Sequence, residues 1–494
     1  MSKAKTSVKG KAKMFRDLRE WMEEAKKIGE LVVTEGCDTN EFGPISQITA
    51  RNEGPAVLHR KIKGYDPGFG VITNLMANIR TFNMTFGFPV DYTIKESVEA
   101  LSEKAYQWAD DASKFPPTVV KTGPIFDNIV KGKDIDLSIF PVPKWHELDG
   151  GPYIGTADAV ITRDMDTGRV NLGTYRSQLL DNKNVAVYIA QGHHGGIQML
   201  KYFDRGEPCP VVIVYGNNPL VFAVAAQEIR HNIPELNYIG AIRGEPMPVV
   251  TGKVTGLPIP AGSELAVEGF IYPGKTRPEG PFGEWPGYYA GGVVERPFLK
   301  PEAVYYRNEA ILTGCPPAKA SYGDTVFFRS MWRSALIFSE LRYANVPGVK
   351  GVWCPQFGGN RHFVMVSIEQ LYDGHAKQAG MVATQTGASA MQGRYTIVVD
   401  DDINIYDPED VFWAMSTRSY PDETDIIKNT WSSDTDPTIR KPSKTKTTSR
   451  AIIYAVRPFE WRDDFPKVCL ASDQVRKQIF DKRKNLFKER WKIF

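Results

Sequence analysis

Apolar side chains recur at helical spacing at Met14, Phe15, Leu18, Trp21, Ala25 and Ile28, which predicts an amphipathic helix over residues 14–28. Gly29 ends it, and Glu30-Leu-Val-Val33 has the apolar, β-branched make-up of a following strand. Ala56-Val-Leu58 and Val71-Ile-Thr73 predict two more short strands, and Ile94 to Trp108 a second helix. Residues 1–118 therefore form a small α/β domain, ending in the linker Ala112-Ser-Lys-Phe-Pro-Pro117.

From about residue 120 the pattern shortens. Apolar runs at Gly155–Arg163, Val170–Leu179, Val185–Ala190, Pro210–Tyr215, Leu236–Ile242, Pro248–Leu257 and Leu265–Tyr272 alternate with Gly and Pro. That density of strands predicts a β-barrel over residues 119–325, interrupted by one helix at Gly196–Phe203. The remainder, 326–494, alternates helix and strand. Phe327–Asn345 and His375–Thr386 read as helices, and Val349–Trp353 and Phe363–Ile368 as strands. Tyr395-Thr-Ile-Val-Val399 has the continuous apolar character of a buried parallel strand and leads to a helix over Pro408–Met415. This order predicts a doubly wound α/β domain. Residues 432–450 are polar and read as a mobile loop. Residues 472–494 read as a basic helix whose Val475, Ile479, Leu486 and Trp491 would dock on a partner subunit.

Composition narrows the class. The chain has 494 residues, 42% of them hydrophobic and 24% charged, as expected of a soluble protein with more than one core. A net charge of +3 argues against nucleic acid as the partner. No apolar run approaches the roughly 20 residues of a membrane span, and the basic start, Met1 to Lys13, lacks the apolar core of a secretory signal and reads as a disordered tail. The five cysteines contain no Cys-x-x-Cys pair, which fits a reducing, cytoplasmic setting.

The densest candidate chemistry lies between Arg277 and Gly292. Glu279 and Glu284 stand five residues apart among Phe282, Trp285, Tyr288 and Tyr289, in a stretch broken by Pro278, Pro281 and Pro286. Apolar walls raise a carboxyl pKa toward neutrality, so this is a candidate acid/base loop; a surface hairpin with solvated acids fits this stretch equally well. Upstream, Asn171-Leu-Gly-Thr-Tyr-Arg176 offers a guanidinium able to fork a carboxylate, although a sheet-face ion pair is the commoner use of such an Arg. Gln191-Gly-His-His-Gly-Gly196 places two histidines before a helix, which suits metal or phosphate contact but also a plain loop. Glu235, expected just before a strand, is a possible third ligand or a solvated acid.

Taken together, Asn171, Arg176, His194, Glu235 and Glu279-Gly-Pro-Phe-Gly-Glu284 occur in an order and spacing that resembles the UbiD family of prenylated-FMN-dependent (de)carboxylases, over nearly the whole chain. The resemblance implies a mixed α+β fold: a small N-terminal domain, a flavin-reductase-like split barrel and a C-terminal oligomerisation domain. It implies prenylated FMN as cofactor. Asn171, His194 and Glu235 would be ligands of a divalent metal such as Mn²⁺ that bridges to the cofactor phosphate, with K⁺ nearby. Gly173, Thr174, Tyr175, Arg176 and His193 would line the flavin, and Arg394 would approach the phosphate. Arg176, Glu279 and Glu284 would form the catalytic network, with Glu284 exchanging the proton that replaces CO₂ and Trp285 and His193 shaping the substrate pocket.

The implied reaction is reversible decarboxylation of an unsaturated acid through a covalent adduct with the cofactor, and the Trp285 face favours an aromatic substrate. Partners would be the carboxylic acid, CO₂, a flavin prenyltransferase supplying the cofactor, and further copies of the chain in a dimer or hexamer. Two rivals stand beside this reading. One is an FMN-dependent reductase on the same barrel, the other a non-catalytic subunit of a multi-subunit carboxylase.

Overall fold

The computed structural model describes residues 14–189, 192–227, 229, 232–439 and 445–487. The expected tail Met1–Lys13 and the packing residue Trp491 therefore lie outside the described residues, as do Ala190 and Gln191. The first helix is Leu18–Lys27, capped by the Asp17 side chain, and it buries Leu18, Trp21 and Ala25 as the periodicity requires. Its strand, Leu31–Glu35, pairs in parallel with Ala56–Arg60, which is antiparallel to Gly70–Thr73. The fourth member of this sheet, Ile311–Gly314, comes from the stretch expected to belong to the barrel, and it pairs in parallel with Gly70–Thr73.

At the centre is a nine-stranded antiparallel sheet. Its long axis is the hairpin Leu265–Glu279 and Val294–Tyr306, in which Glu279 pairs with Val294. On one side follow Cys209–Tyr215, Ala159–Arg163 and Val170–Gly173; on the other, Val185–Val187, Ser177–Leu179 and Tyr153–Gly155, and the ninth strand, Asn128–Lys131, also pairs with Val294–Tyr306. The sheet curls without its end strands meeting, the open form of the expected split barrel. In the C-terminal sheet Phe363–Ile368, Tyr395–Asp400 and Thr447–Ala455 run parallel, flanked by antiparallel edges Val349–Trp353 and Asp425–Trp431. One apolar core joins the three regions through Phe82, Trp108, Leu172, Tyr238, Trp332 and Ile397.

Three expectations are corrected. Leu236–Ile242 is not a strand; Glu235–Arg243 is a helix closed by Gly244 in the left-handed conformation (φ 70°). Its Leu236, Tyr238, Ile239, Ala241 and Ile242 are all buried, so no polar face marked the helical period. Nor is all of 432–450 loop, because Thr447–Arg450 open a strand; residues 440–444 lie outside the described ones. The terminal helix is Asp473–Lys482, followed by a short turn at Lys484–Leu486, and Val475, Ile479 and Leu486 remain exposed. Among the described residues no helix is long and apolar enough to cross a membrane.

Candidate active site

The loop 280–293 is the connection of the long central hairpin, so the carboxylates at its start and within it inherit fixed starting points. Glu279 is the last residue of its strand and Glu284 sits in the loop. The loop is pinned by backbone bonds: Gly280 N–H donates to Gln178 Oε1 (3.0 Å), Gly283 N–H to Asp149 Oδ1 (3.0 Å), and Glu284 N–H to the Tyr288 carbonyl (3.1 Å). Gly150 passes so close to this loop that a Cβ there would stand 1.8 Å from the Gly280 carbonyl oxygen. Gly287 has φ 86° and abuts Lys319, which leaves room only for glycine.

Arg176 stands in the turn between the strands Val170–Gly173 and Ser177–Leu179, and it gathers both acids. Its Nε and Nη2 donate to Glu279 Oε1 and Oε2, each at 2.9 Å, in a two-pronged fork. Its Nη1 donates to Glu284 Oε1. Tyr153 Oη donates to Glu279 Oε1 at 2.7 Å, and Arg296 Nε lies 3.9 Å from Glu279 Oε2. The guanidinium of Arg176 lies over the rings of Tyr188 (4.7 Å) and Phe282 (5.3 Å).

Glu279 is 1% exposed and Glu284 8% exposed, so the solvated-hairpin alternative is excluded. Burial pushes the Glu284 carboxyl above the ordinary carboxylate range; Arg176 opposes this and Glu279 reinforces it. Burial alone would lower the Arg176 pKa, but Glu284 and Glu279 more than offset it and hold the guanidinium charged.

Glu284, Arg176, Thr174, Tyr175, His193 and Trp285 all line one cavity of about 160 Å³. Next to it, sharing Thr174, Tyr175 and His193, lies a second cavity of about 220 Å³. Asn171, Gly173, His194 and Glu235 line that one. Here His194 Nδ1 is 4.0 Å from Glu235 Oε1, and Leu172 N–H donates to Glu235 Oε2 at 3.1 Å. The helices His194–Asp204 and Glu235–Arg243 both begin at this cavity, with their N-terminal N–H groups and positive dipole ends beside it.

An amide oxygen, an imidazole and a carboxylate on one cavity wall form a donor set suited to a hard-to-borderline divalent ion, and the helix starts suit a phosphate. Small residues keep the wall close: a Cβ at Gly195 would stand 3.0 Å from Tyr175 Oη. These residues would suit the phosphate of a flavin and a divalent ion.

Arg394 is not gathered with this group. Its Nη2 donates to Asp436 (3.0 and 2.9 Å) and to Thr438 Oγ1, and it lines neither cavity. Arg329 and Arg361 supply the guanidinium groups on the second cavity instead. No sequence pattern marked them, because they reach the cavity from the C-terminal region only through the fold.

Trp285 has a double commitment. It lines the Glu284 cavity, yet its ring stacks on His362 (5.1 Å, 28°) and a Cβ at Gly359 would stand 3.0 Å from it. Burial and the nearby Arg394 push the His362 imidazole down to about 4, so this stacking partner is neutral. Trp285→Ala is expected to cost about 3 kcal/mol or more of stability, as for any buried large aromatic. A thermal melt checks that. It is also expected to change which carboxylic acids are turned over, which a panel of aryl and alkenyl acids scored by CO₂ release would read; an unchanged ranking removes Trp285 from the substrate pocket.

Comparison with known proteins shows the family of the chain. Residues 118–320 match the 3-octaprenyl-4-hydroxybenzoate carboxy-lyase Rift-related domain and 326–455 the C-terminal domain of the same family. A phenolic acid decarboxylase of Streptomyces sp. (strain D7) is 30% identical over 431 residues, which are 84% of this chain and 87% of the relative. The UbiD-class enzyme HmfF from Pelotomaculum thermopropionicum, solved in complex with FMN, superposes with a TM-score of 0.82 at 28% identity, covering 93% of this chain and 98% of its own. An evolved dimeric form of that enzyme was solved with prFMN (TM-score 0.78, 28% identity, 92% and 97% covered). Vanillic acid decarboxylase of Sedimentibacter hydroxybenzoicus in its closed form gives 0.81 at 28% identity, over 97% of this chain and all of that one. The chain belongs to the UbiD family of carboxy-lyases.

Proposed function

We propose that this protein is a prenylated-FMN-dependent decarboxylase of aromatic carboxylic acids, working on the balance R–COO⁻ + H⁺ → R–H + CO₂. The observation that carries the reading is the buried Glu279–Arg176–Glu284 triad on a cavity that adjoins the Asn171, His194 and Glu235 wall. When bound, the modified flavin supplies an electrophilic centre that takes up the electrons left at carbon.

The chain's own residues do the rest. Asn171, His194 and Glu235 would hold a divalent ion such as Mn²⁺, with K⁺ alongside, at the phosphate end of the cofactor. Gly173, Thr174, Tyr175 and His193 would line its ring system. Arg176, fixed by its fork on Glu279, orients the substrate carboxylate. Glu284, its carboxyl raised by burial, delivers the proton that replaces CO₂ and takes it back in the carboxylation direction. The relatives named for phenolic and vanillic acids support an aromatic substrate. The apolar side chains exposed on the terminal helix, Val475 and Ile479, support assembly with further copies of the chain.

The test is protein co-expressed with a flavin prenyltransferase, assayed for CO₂ release from a panel of aryl acids. Release by this protein and none by protein carrying only FMN is expected. Oxidation of NAD(P)H by the FMN form, with no CO₂ release from any acid, would favour the reductase instead.

A further inference from the structure

Glu284 faces two cavities. Beyond the one shared with Arg176 lies another of about 280 Å³, lined by His146, Gly283, Glu284, Tyr289 and Lys319 and reaching Tyr288, which is 60% exposed. It therefore connects the buried acid with the surface, and it shares no lining residue with the cavity of Asn171, His194 and Glu235. Each turnover consumes one proton at Glu284, and a carboxyl 8% exposed needs a route by which that proton is replaced.

His146 is built for such a route. Its imidazole Nδ1 lies 3.0 Å from Asp149 Oδ2, whose other oxygen accepts the Gly283 N–H. The Asp149 carboxylate assigns the proton to Nδ1, which leaves Nε2 with its lone pair. Nε2 is buried and has no hydrogen-bond partner among the described residues, and the side chain is 9% exposed. A buried polar nitrogen without a partner is costly, and the residue that carries it lines a cavity wide enough for water. The ring also packs against the residue preceding the acid: a Cβ at Gly283 would stand 2.9 Å from Nδ1.

We propose that this outer cavity is the proton-entry channel of the enzyme and that His146, oriented by Asp149, relays protons through it to Glu284. The step balances simply. Water in the cavity passes a proton from bulk solvent to Nε2, and the imidazolium passes one, directly or through one water, to the Glu284 carboxylate left after the product has been protonated. His146 touches neither substrate nor cofactor in this scheme; it acts through Glu284. The proposal rests on the decarboxylase reading.

The test compares cofactor-loaded wild type with His146→Asn, whose amide keeps a donor toward Asp149 but cannot carry a proton, and with His146→Ala. Both variants are expected to bind cofactor as wild type does, by absorbance. His146→Asn is expected to turn over about a hundredfold more slowly, the small end of what a positioned proton-transfer group contributes. Added imidazole is expected to restore His146→Ala. A merely structural role would not give that rescue.

An independent readout needs no turnover. In the unloaded chain, deuterium exchange of the Glu284 carboxyl, followed by infrared and assigned by its loss in Glu284→Gln, is expected to slow in His146→Asn. Wild-type turnover or wild-type exchange in His146→Asn overturns the relay while leaving the decarboxylase reading intact. Slow turnover in His146→Ala without imidazole rescue also overturns it and reduces His146 to a prop for the loop. If His146→Ala does not fold, His146→Asn decides alone. Failure of wild type to release CO₂ from any acid speaks against the decarboxylase reading, and the exchange measurement still judges the relay.

Discussion

Glu284→Gln is expected to abolish CO₂ release while leaving the cofactor in place. The side chain is buried, its carboxyl is raised by that burial, and one oxygen accepts from Arg176 Nη1. An amide keeps the shape and can still accept that hydrogen bond, so the triad and the cavity should survive. It cannot deliver a proton, and loss of a general acid costs at least roughly 10²-fold in rate. Cofactor content by absorbance, CO₂ release and deuterium incorporation into product from heavy water separate the two effects. Wild-type turnover, or deuterium incorporation at an unchanged rate, would remove Glu284 from proton transfer. The shift also fixes a pH trend. A carboxyl whose pKa is raised on folding disfavours the ionised form, so its burial costs stability progressively as pH rises above the ordinary carboxylate range. Glu284→Gln is therefore expected to narrow the fall in melting temperature between mildly acidic and neutral pH.

Much of this site is legible in the sequence, and what is legible shares one property. Arg176, Glu279 and Glu284 lie in short local motifs whose residue types are already unusual: acids among rings and prolines, and an Arg beside Gly173 and Thr174. The helix at 18–27 and the parallel strand at 395–400 are equally plain, the first from its helical period and the second from its continuous apolar run. The helix Glu235–Arg243 was hidden because it is buried on every side and has no polar face. That error touched the site, since Glu235 begins a helix instead of preceding a strand.

Contacts made across the fold left no local signal. Trp285 on His362, Arg394 on Asp436, and Arg329 and Arg361 on the second cavity join segments far apart in the chain. His146 carries no local signal for a similar reason. Its meaning comes from Gly283 and Glu284, more than a hundred residues later, and from the cavity they share.

The two adjacent histidines are expected to part company when each is removed. His194 opens the helix His194–Asp204, and its Nδ1 lies 4.0 Å from Glu235 Oε1, on the cavity that Asn171 also lines. His193 precedes the helix and lines both cavities, with its ring 5.9 Å from that of Tyr175. If one divalent ion is shared by Asn171, His194 and Glu235, removing one of three protein ligands weakens it directly. The loss should be at least that seen when a supporting partner of a ligand is removed, about 10- to 100-fold in affinity. His194→Ala should then lose the metal and, with the phosphate bridge gone, most of the cofactor. His193→Ala should keep the metal and alter only how the ring system and substrate sit. Elemental analysis and the flavin absorbance of both purified variants measure this without any assay of turnover. Equal metal content in the two variants would move the ion away from His194, and with it the argument that the two helix starts and the Asn171, His194 and Glu235 wall were built to hold one phosphate end.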